Sequence, residues 1–422
     1  MQWCVLFTLG FFGMVLIRLG IPSKPMFDEI HYLPAARNLL ALSTAINREH
    51  PMLGKEILAL GMWLIGDNPW GWRLPSAIMG AVGLFAAMRA VWLASRSVAT
   101  TVLFGLLMAT NFSWFIQSRI AMLDMAMAMS MAVGMWQAVA AWVNPERGRL
   151  HLALSGLFLG LSLAGKWTGA PLLALPGLCF AWLRWQALGS KTFKAKAARF
   201  LTARGIGPVP QVSLLEAALW LGLLPVLVYL ATFTPYYFYE VRKLSTLGDL
   251  FALQLKMVAL QDSVVKPHTY MSQWWQWVLN IRPIWYLYEN VDGAQRGVLL
   301  LGNPFTMLAA LPALLWCAWL GFTRKDAVKL AVFVLYVVSV IYWAVNGKPV
   351  QFYYHYLLAA VFAMAAIALV VGEWWDKNRR WPALVVGGGA VLFFVWFFPI
   401  LSAGALPGKK AYLTYTWLYT WR

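Results

Sequence analysis

Two carboxylates stand side by side in the stretch Phe27-Asp28-Glu29-Ile30-His31-Tyr32, and a second polar cluster, Asn47-Arg48-Glu49-His50-Pro51-Met52-Leu53-Gly54-Lys55, follows in the same loop. Charges near hydrocarbon are costly, so such a group asks for a functional explanation. One use is acid and base work: Asp28 takes a proton from an attacking group, and Glu29 orients that group or the base. A plainer use of Asp28 is as a helix N-cap. A cap, however, needs neither Glu29 beside it nor the cluster of Glu49, His50 and Lys55. Asp28, Glu29, His31 and His50 lack the compact spacing of a metal site, so no metal and no other cofactor is expected.

Three further intramembrane charges fall level with this loop. Arg119 and Asp124 bracket the hairpin Ser118-Arg119-Ile120-Ala121-Met122-Leu123-Asp124, and Lys166 ends an apolar run in Gly165-Lys166-Trp167. An ion pair between Arg119 and Asp124 holding the hairpin shut is the structural alternative to a ligand-binding role. A later stretch, Lys266 to Tyr288, carries His268, Trp275 and Arg282 among many Trp and Tyr residues. It reads either as an aromatic belt at the bilayer surface or as a face on which sugars and prenyl chains pack. Arg282 or His268 could there reach a phosphate.

The elements that position these groups are membrane spans. With 61% hydrophobic and 12% charged residues and 25 tryptophans among 422 residues, the chain has too little polar surface to cover a soluble globule. Its three cysteines lie in apolar runs and offer no obvious disulfide. Apolar runs able to cross roughly 30 Å of hydrocarbon lie near 3–21, 72–93, 98–117, 120–143, 151–165, 167–185, 213–234, 298–320, 329–346, 351–372 and 382–400. The first lacks the basic start and cleavage site of a secretory signal and is read as a span. The segments Glu29 to Ser43 and Gly54 to Ile65 have helical spacing and are expected to lie along the interface. The whole of 1–422 reads as one all-α polytopic membrane domain of about eleven helices.

The net charge of +18 is not a nucleic-acid footprint, because Arg and Lys gather in short segments between apolar runs, the longest being 186–212 with Lys191 among its cations. The positive-inside rule then puts the N-terminus in the cytoplasm and the C-terminus outside. The long loops 22–71 and 235–297 fall together on the extracytoplasmic face. No repeat, low-complexity tract or soluble domain is present.

The order Phe27-Asp28-Glu29, His50-Pro51-x-Leu53-Gly54-Lys55, Ser118-Arg119-x4-Asp124, Lys166-Trp167, Ser272-x-Trp274-Trp275-x-Trp277-x4-Arg282-Pro283 and Leu301-Gly302-Asn303-Pro304 resembles the protein O-mannosyltransferase family of the GT-C glycosyltransferase superfamily. The resemblance runs from residue 27 to the aromatic run ending at Tyr356. It implies a GT-C fold and transfer of mannose, with inversion, from a polyprenyl-phosphate-mannose donor to a Ser or Thr hydroxyl of a secreted or membrane protein. Asp28 falls on the family's catalytic acid position and Glu29 on its neighbour, which helps hold the acceptor; Arg119 and Lys166 fall on cationic positions near the lipid phosphate. Met52 stands where the family usually has a second proline. The loop 235–297 is too short for the lumenal β-trefoil module of eukaryotic members, which points to a prokaryotic enzyme of the plasma (inner) membrane, working alone or as a homo- or hetero-oligomer.

The chemistry is consistent with that resemblance. A sugar on a lipid phosphate is already activated, and cations that stabilise the growing charge help the phosphate leave. A single displacement needs one base, for which Asp28 is best placed, and Arg119 with Lys166 could neutralise the phosphate without a metal. Two other readings stand beside it: a GT-C enzyme that glycosylates a lipid or polysaccharide, such as a lipid A aminoarabinose transferase, and a lipid transporter or flippase. Against the flippase, no inverted repeat of hydropathy is visible, and the polar residues gather at one face.

Overall fold

Helix formation here follows from long apolar runs, since about 20 residues at 1.5 Å rise cover the hydrocarbon thickness and satisfy every backbone group internally. The computed structural model describes residues 1–189, 193–263 and 265–422, so Lys191 lies outside the described residues. Among those residues, eight helices are long and apolar enough to cross a membrane: Pro69–Ser95, Asp124–Val143, Pro145–Gly165, Leu214–Ala231, Pro304–Arg324, Ala327–Val345, Tyr353–Asp376 and Trp381–Leu401. The chain is an integral membrane protein.

The other three expected spans are shorter or interrupted. Gln2–Leu16 and Val98–Ala109 are apolar helices below full span length. Asn111 stops the latter and caps the next helix, Phe112–Gln117, by accepting a hydrogen bond from the Trp114 N–H. The stretch expected to cross at 167–185 breaks into a 3-10 turn, Trp167–Gly169, a four-residue helix, Ala170–Leu173, and Leu175–Ala187. Pro171 and Pro176 sit in the first turns of the two helices, where a missing N–H costs nothing but a continuous helix through them is blocked.

Tyr353–Asp376 is the centre of the bundle, with 78% of its apolar window buried, more than in any other of the eight. Close approach elsewhere depends on small residues. Gly156 and Gly160 form a GxxxG pair facing the Leu214–Ala231 helix, and a Cβ at Gly156 would lie 1.8 Å from the Trp220 carbonyl oxygen. Gly165 is also too tight for a side chain, since a Cβ there would be 2.6 Å from the Met127 nitrogen. It brings Lys166 against the start of the Asp124–Val143 helix.

The face that carries the polar chemistry is built from Glu29–Leu40 and Leu53–Ile65 in the first loop, the Leu247–Asp262 helix, and one β-hairpin. Both first-loop helices keep apolar side chains exposed, among them Ile30, Leu60 and Trp63, as interfacial helices do. The hairpin departs from the all-helical expectation. Strands β1, Ile284–Val291, and β2, Ala294–Leu300, pair antiparallel, and the helix expected from residue 298 begins only at Pro304. Asp292 and Gly293 both have positive φ, 50° and 74°, the turn that matches the twist of a two-residue hairpin. A bulge falls between Trp285 and Leu287, leaving Tyr286 without a partner across the ladder.

Gly156→Val is expected to destabilise the protein by about 1–3 kcal/mol through overpacking against Trp220, read as a lower melting temperature in detergent. An unchanged melting temperature would mean that the two helices separate freely.

Candidate active site

The start of the Glu29–Leu40 helix is fixed by a buried ion pair. Glu29 and Arg73 are both fully buried, and Arg73 Nε and Nη2 each donate to one Glu29 oxygen at 2.8 Å. The other Arg73 donors reach the carbonyls of Leu19, Pro22 and Lys24 at 3.2, 2.7 and 3.1 Å, so all five N–H groups are used. Glu29 also accepts from the Met26 N–H at 2.9 Å and the Ala121 N–H at 2.8 Å. Its oxygens are thereby fully engaged. The sequence expectation that Glu29 holds the acceptor meets a carboxylate with no group to spare, and the geometry makes it a positioning residue.

Asp28 precedes this helix but does not cap it, since its side chain makes no cap hydrogen bond. No side-chain hydrogen bond to its carboxylate is present among the described residues, and the residue is partly open to the surface. Phe27 holds it in place with a left-handed backbone, φ 50°, a conformation that costs an aromatic residue about 1–3 kcal/mol. Stacking of the Phe27 ring on Tyr286, with centroids 4.3 Å apart, offsets part of that. The β-bulge is what aims Tyr286 at Phe27.

Asp28 shares its surroundings with Lys166, His31, Asp124 and Lys348. Burial pushes its carboxyl up to about 6, against the downward pull of Lys166, His31 and Lys348. Lys166 is held by Asp124, at 2.8 and 3.0 Å, with its ammonium 4.5 Å from the centre of the Tyr354 ring. The ion pair of this region therefore joins Asp124 to Lys166. Lys348 sits in a turn where Gly347 has φ 68° and Asn346 Oδ1 accepts from the Lys348 N–H, and its ammonium donates to Gln261 Oε1 at 3.1 Å. Burial draws this ammonium down to about 8.

His50 lies edge-on to Tyr32, and its Nδ1 is buried without a hydrogen-bond partner among the described residues. Burial, aided by Lys166, Lys55 and Lys348, holds its pKa well below the ordinary histidine value, so the ring is neutral. Lys55 is buried and donates to the carbonyls of Asn47 and His50, both at 2.9 Å, which fixes the loop that carries His50. Among the described residues no three His, Cys, Asp or Glu side chains are grouped to hold a metal ion.

This constellation lies in a chain whose relatives are informative. The family model described as dolichyl-phosphate-mannose-protein mannosyltransferase matches residues 5–237, more than half of the sequence. The chain belongs to the protein O-mannosyltransferase family. A second model, the C-terminal four TMM region of protein-O-mannosyltransferase, matches residues 246–421. The polyprenol-phosphate-mannose–protein mannosyltransferase of Mycolicibacterium smegmatis is 26% identical, over 96% of this chain and 90% of its own. The fold is that of the protein O-mannosyltransferase Pmt1-Pmt2 complex of S. cerevisiae bound to the sugar donor, with a TM-score of 0.81 at 14% identity, over 99% of this chain and 92% of that one. ArnT from Cupriavidus metallidurans is a more distant likeness, with a TM-score of 0.58 at 13% identity, over 98% of this chain and 77% of that one. These neighbours fix the GT-C fold.

Four residues expected at the site of this O-mannosyltransferase are engaged in other contacts. Arg119 is buried, donates to the carbonyl of Val15 and, at 3.5 Å, to that of Ser402, and lies over the Phe115 ring. Its neighbours in charge are Arg18 and Arg73, so it ties the first and last helices together and does not face Lys166. Arg282 donates to the carbonyls of Thr269 and Thr420. His268 packs edge-on to Phe352, and Trp275 donates to Gln273 within its own turn. In exchange, the fold brings in Arg73, Lys348, Tyr286 and Tyr354, none of which the motifs singled out. Lys348 carried a signal, because it is the one charge in the short turn 346–352 between two spans. Arg73 carries no such signal, being a lone cation at the start of an apolar run.

Arg73→Ala is expected to leave Glu29 charged and buried, a loss of about 3–5 kcal/mol, seen as loss of folded protein in size-exclusion chromatography. Recovery of a stable monodisperse variant would show that the pair is not what fixes the loop.

Proposed function

We propose that the chain transfers mannose from a polyprenyl-phosphate-mannose donor to a Ser or Thr hydroxyl of a protein, with inversion, and that Asp28 is the base. The observation that supports this most is the Asp28 carboxylate itself: half-buried, free of side-chain hydrogen bonds among the described residues, and within the electrostatic reach of Lys166 and Lys348. In this reading the hydroxyl oxygen forms a bond to the anomeric carbon as the bond from that carbon to the phosphate oxygen breaks. Asp28 takes the hydroxyl proton, and the polyprenyl phosphate leaves with the bonding pair. Lys166 and Lys348 stabilise the charge that grows on it, in place of a divalent metal. Asp124 keeps Lys166 aimed at the phosphate, and His50 Nδ1 offers a neutral polar contact to the donor. A pKa near 6 suits a general base at neutral pH, being ionised yet still basic.

The prenyl chain is assigned to the outside of the broken sixth segment, where Thr168, Pro171 and Leu172 face Trp343 and Leu358 across a crevice of only about 10 Å³ that the chain would have to open. The extracytoplasmic placement of the site rests on the basic loops at the opposite ends of the spans, among them Arg147, Arg149 and Arg324.

Asp28→Asn is expected to lower turnover of labelled donor and a threonine peptide by about 10²–10⁴ while donor binding stays intact; near-normal transfer would remove Asp28 from the mechanism. In the wild type the rate should fall as pH drops below about 6, where Asp28 is protonated, and again above about 8, where Lys348 loses its charge. A rate that stays flat from acid to alkaline pH would contradict both assignments. Lys166→Ala and Lys348→Ala should raise the donor KM more than the acceptor KM, and the reverse ranking would place the phosphate elsewhere.

A further inference from the structure

A groove of about 390 Å³ runs along the hairpin, and its lining has an unusual pattern: Trp285, Tyr286, Leu287, Tyr288 and Glu289, five consecutive residues of β1. Successive strand side chains point to opposite faces. A cavity touching one face would meet every second residue. The bulge at Tyr286 breaks the alternation locally, but contact with Leu287, Tyr288 and Glu289 in a row beyond it means that the groove follows the edge of the strand, where its unpaired N–H and C=O groups lie. That edge is open. The sheet has two strands, and among the described residues no backbone group outside β2 bonds to the main chain of residues 285–289, although the Trp285 and Tyr288 side chains bond to backbone groups of residues 409, 412 and 421. The far edge of β2 is different, for the Leu406 N–H donates to the Gln295 carbonyl at 2.8 Å.

The opposite wall is the segment Lys24, Pro25, Met26 and Phe27, with Ile30. Asp28 does not itself line the groove, but it stands between Phe27 and Ile30 in sequence, so the groove ends next to the residue that bears the free carboxylate. One ion pair, Lys24 to Glu289 at 2.7 Å, crosses from wall to wall. Its side chains are 49% and 41% exposed, so it is a weak tie that an incoming chain displaces easily.

We propose that the acceptor polypeptide binds here as an extended third strand on the free edge of β1, presenting a Ser or Thr hydroxyl to Asp28. An edge strand is a ready template for another chain, and such pairing draws its affinity from main-chain hydrogen bonds. Main-chain recognition leaves side chains unread, as suits an enzyme whose reaction requires only a hydroxyl. The aromatic faces of Tyr270 and Tyr288 accommodate varied side chains along the way. This inference rests on the reading of the chain as a protein glycosyltransferase.

The test uses the wild-type full chain in detergent with polyprenyl-phosphate mannose and a short alanine-rich peptide carrying one threonine, prepared as a series with a single N-methyl group at each backbone position. Pairing to a strand edge uses every second N–H. Methylation at alternate positions should therefore raise the acceptor KM about tenfold, as the loss of a hydrogen bond with its partner left unpaired. At the positions between, the change should stay within about twofold, and the donor KM should be constant throughout. A flat response, or one without a two-residue period, overturns edge pairing while leaving the glycosyltransferase reading in place. No transfer to the unmethylated peptide overturns that reading, and edge pairing with it.

Discussion

The buried pair of Glu29 and Arg73 is the joint on which this architecture turns. Taking two charges out of water is expensive, and the attraction between them compensates only when geometry is good and every remaining donor and acceptor is engaged. Here it is. Arg73 donates five hydrogen bonds and Glu29 accepts four, and the partners come from four separate stretches: the end of the first helix, the loop to residue 29, the hairpin at Ala121 and the Pro69–Ser95 helix. The pair therefore measures out where the first loop meets the bundle. Asp28 is the next residue, so its position follows from that of its neighbour.

Two adjacent acids thus have opposite fates. Glu29 is spent on structure, and its neighbour is left free because the backbone turns at Phe27. The same division occurs among the cations. Arg119 and Arg282 satisfy carbonyls of neighbouring segments, whereas Lys166 and Lys348 share their surroundings with the free acid. A lysine is a compact charge on a flexible stem and can follow a phosphate as it departs. A guanidinium that clamps several carbonyls cannot.

Much of this was legible in the residues. Spans follow from hydropathy, and the order of the polar motifs carried the family, because motif order reports chain topology even when each motif alone is weak. Side-chain direction was not legible. Arg119 and Lys166 are both cations at span ends, and only packing decides that one turns toward the first helix and the other toward Asp124. The pairing of Glu29 with Arg73 spans 44 positions and has no local signature. The hairpin did have one, Asp292-Gly293 after the aromatic and β-branched run Ile284 to Val291, but the same aromatic density also reads as a bilayer belt. The interruption of the sixth span was foreshadowed by Pro171 and Pro176 inside an otherwise uniform apolar run.

That interruption bears on how a carrier with a very long tail is handled. A wall of unbroken helices would force the isoprenoid to thread end-first into the cavity. A wall broken near Lys166 would let the headgroup slip in sideways while the rest of the tail stayed among the surrounding acyl chains. If the donor enters that way, only the first few isoprene units would touch the protein, and carriers differing in overall length or in saturation far from the phosphate would look alike to it.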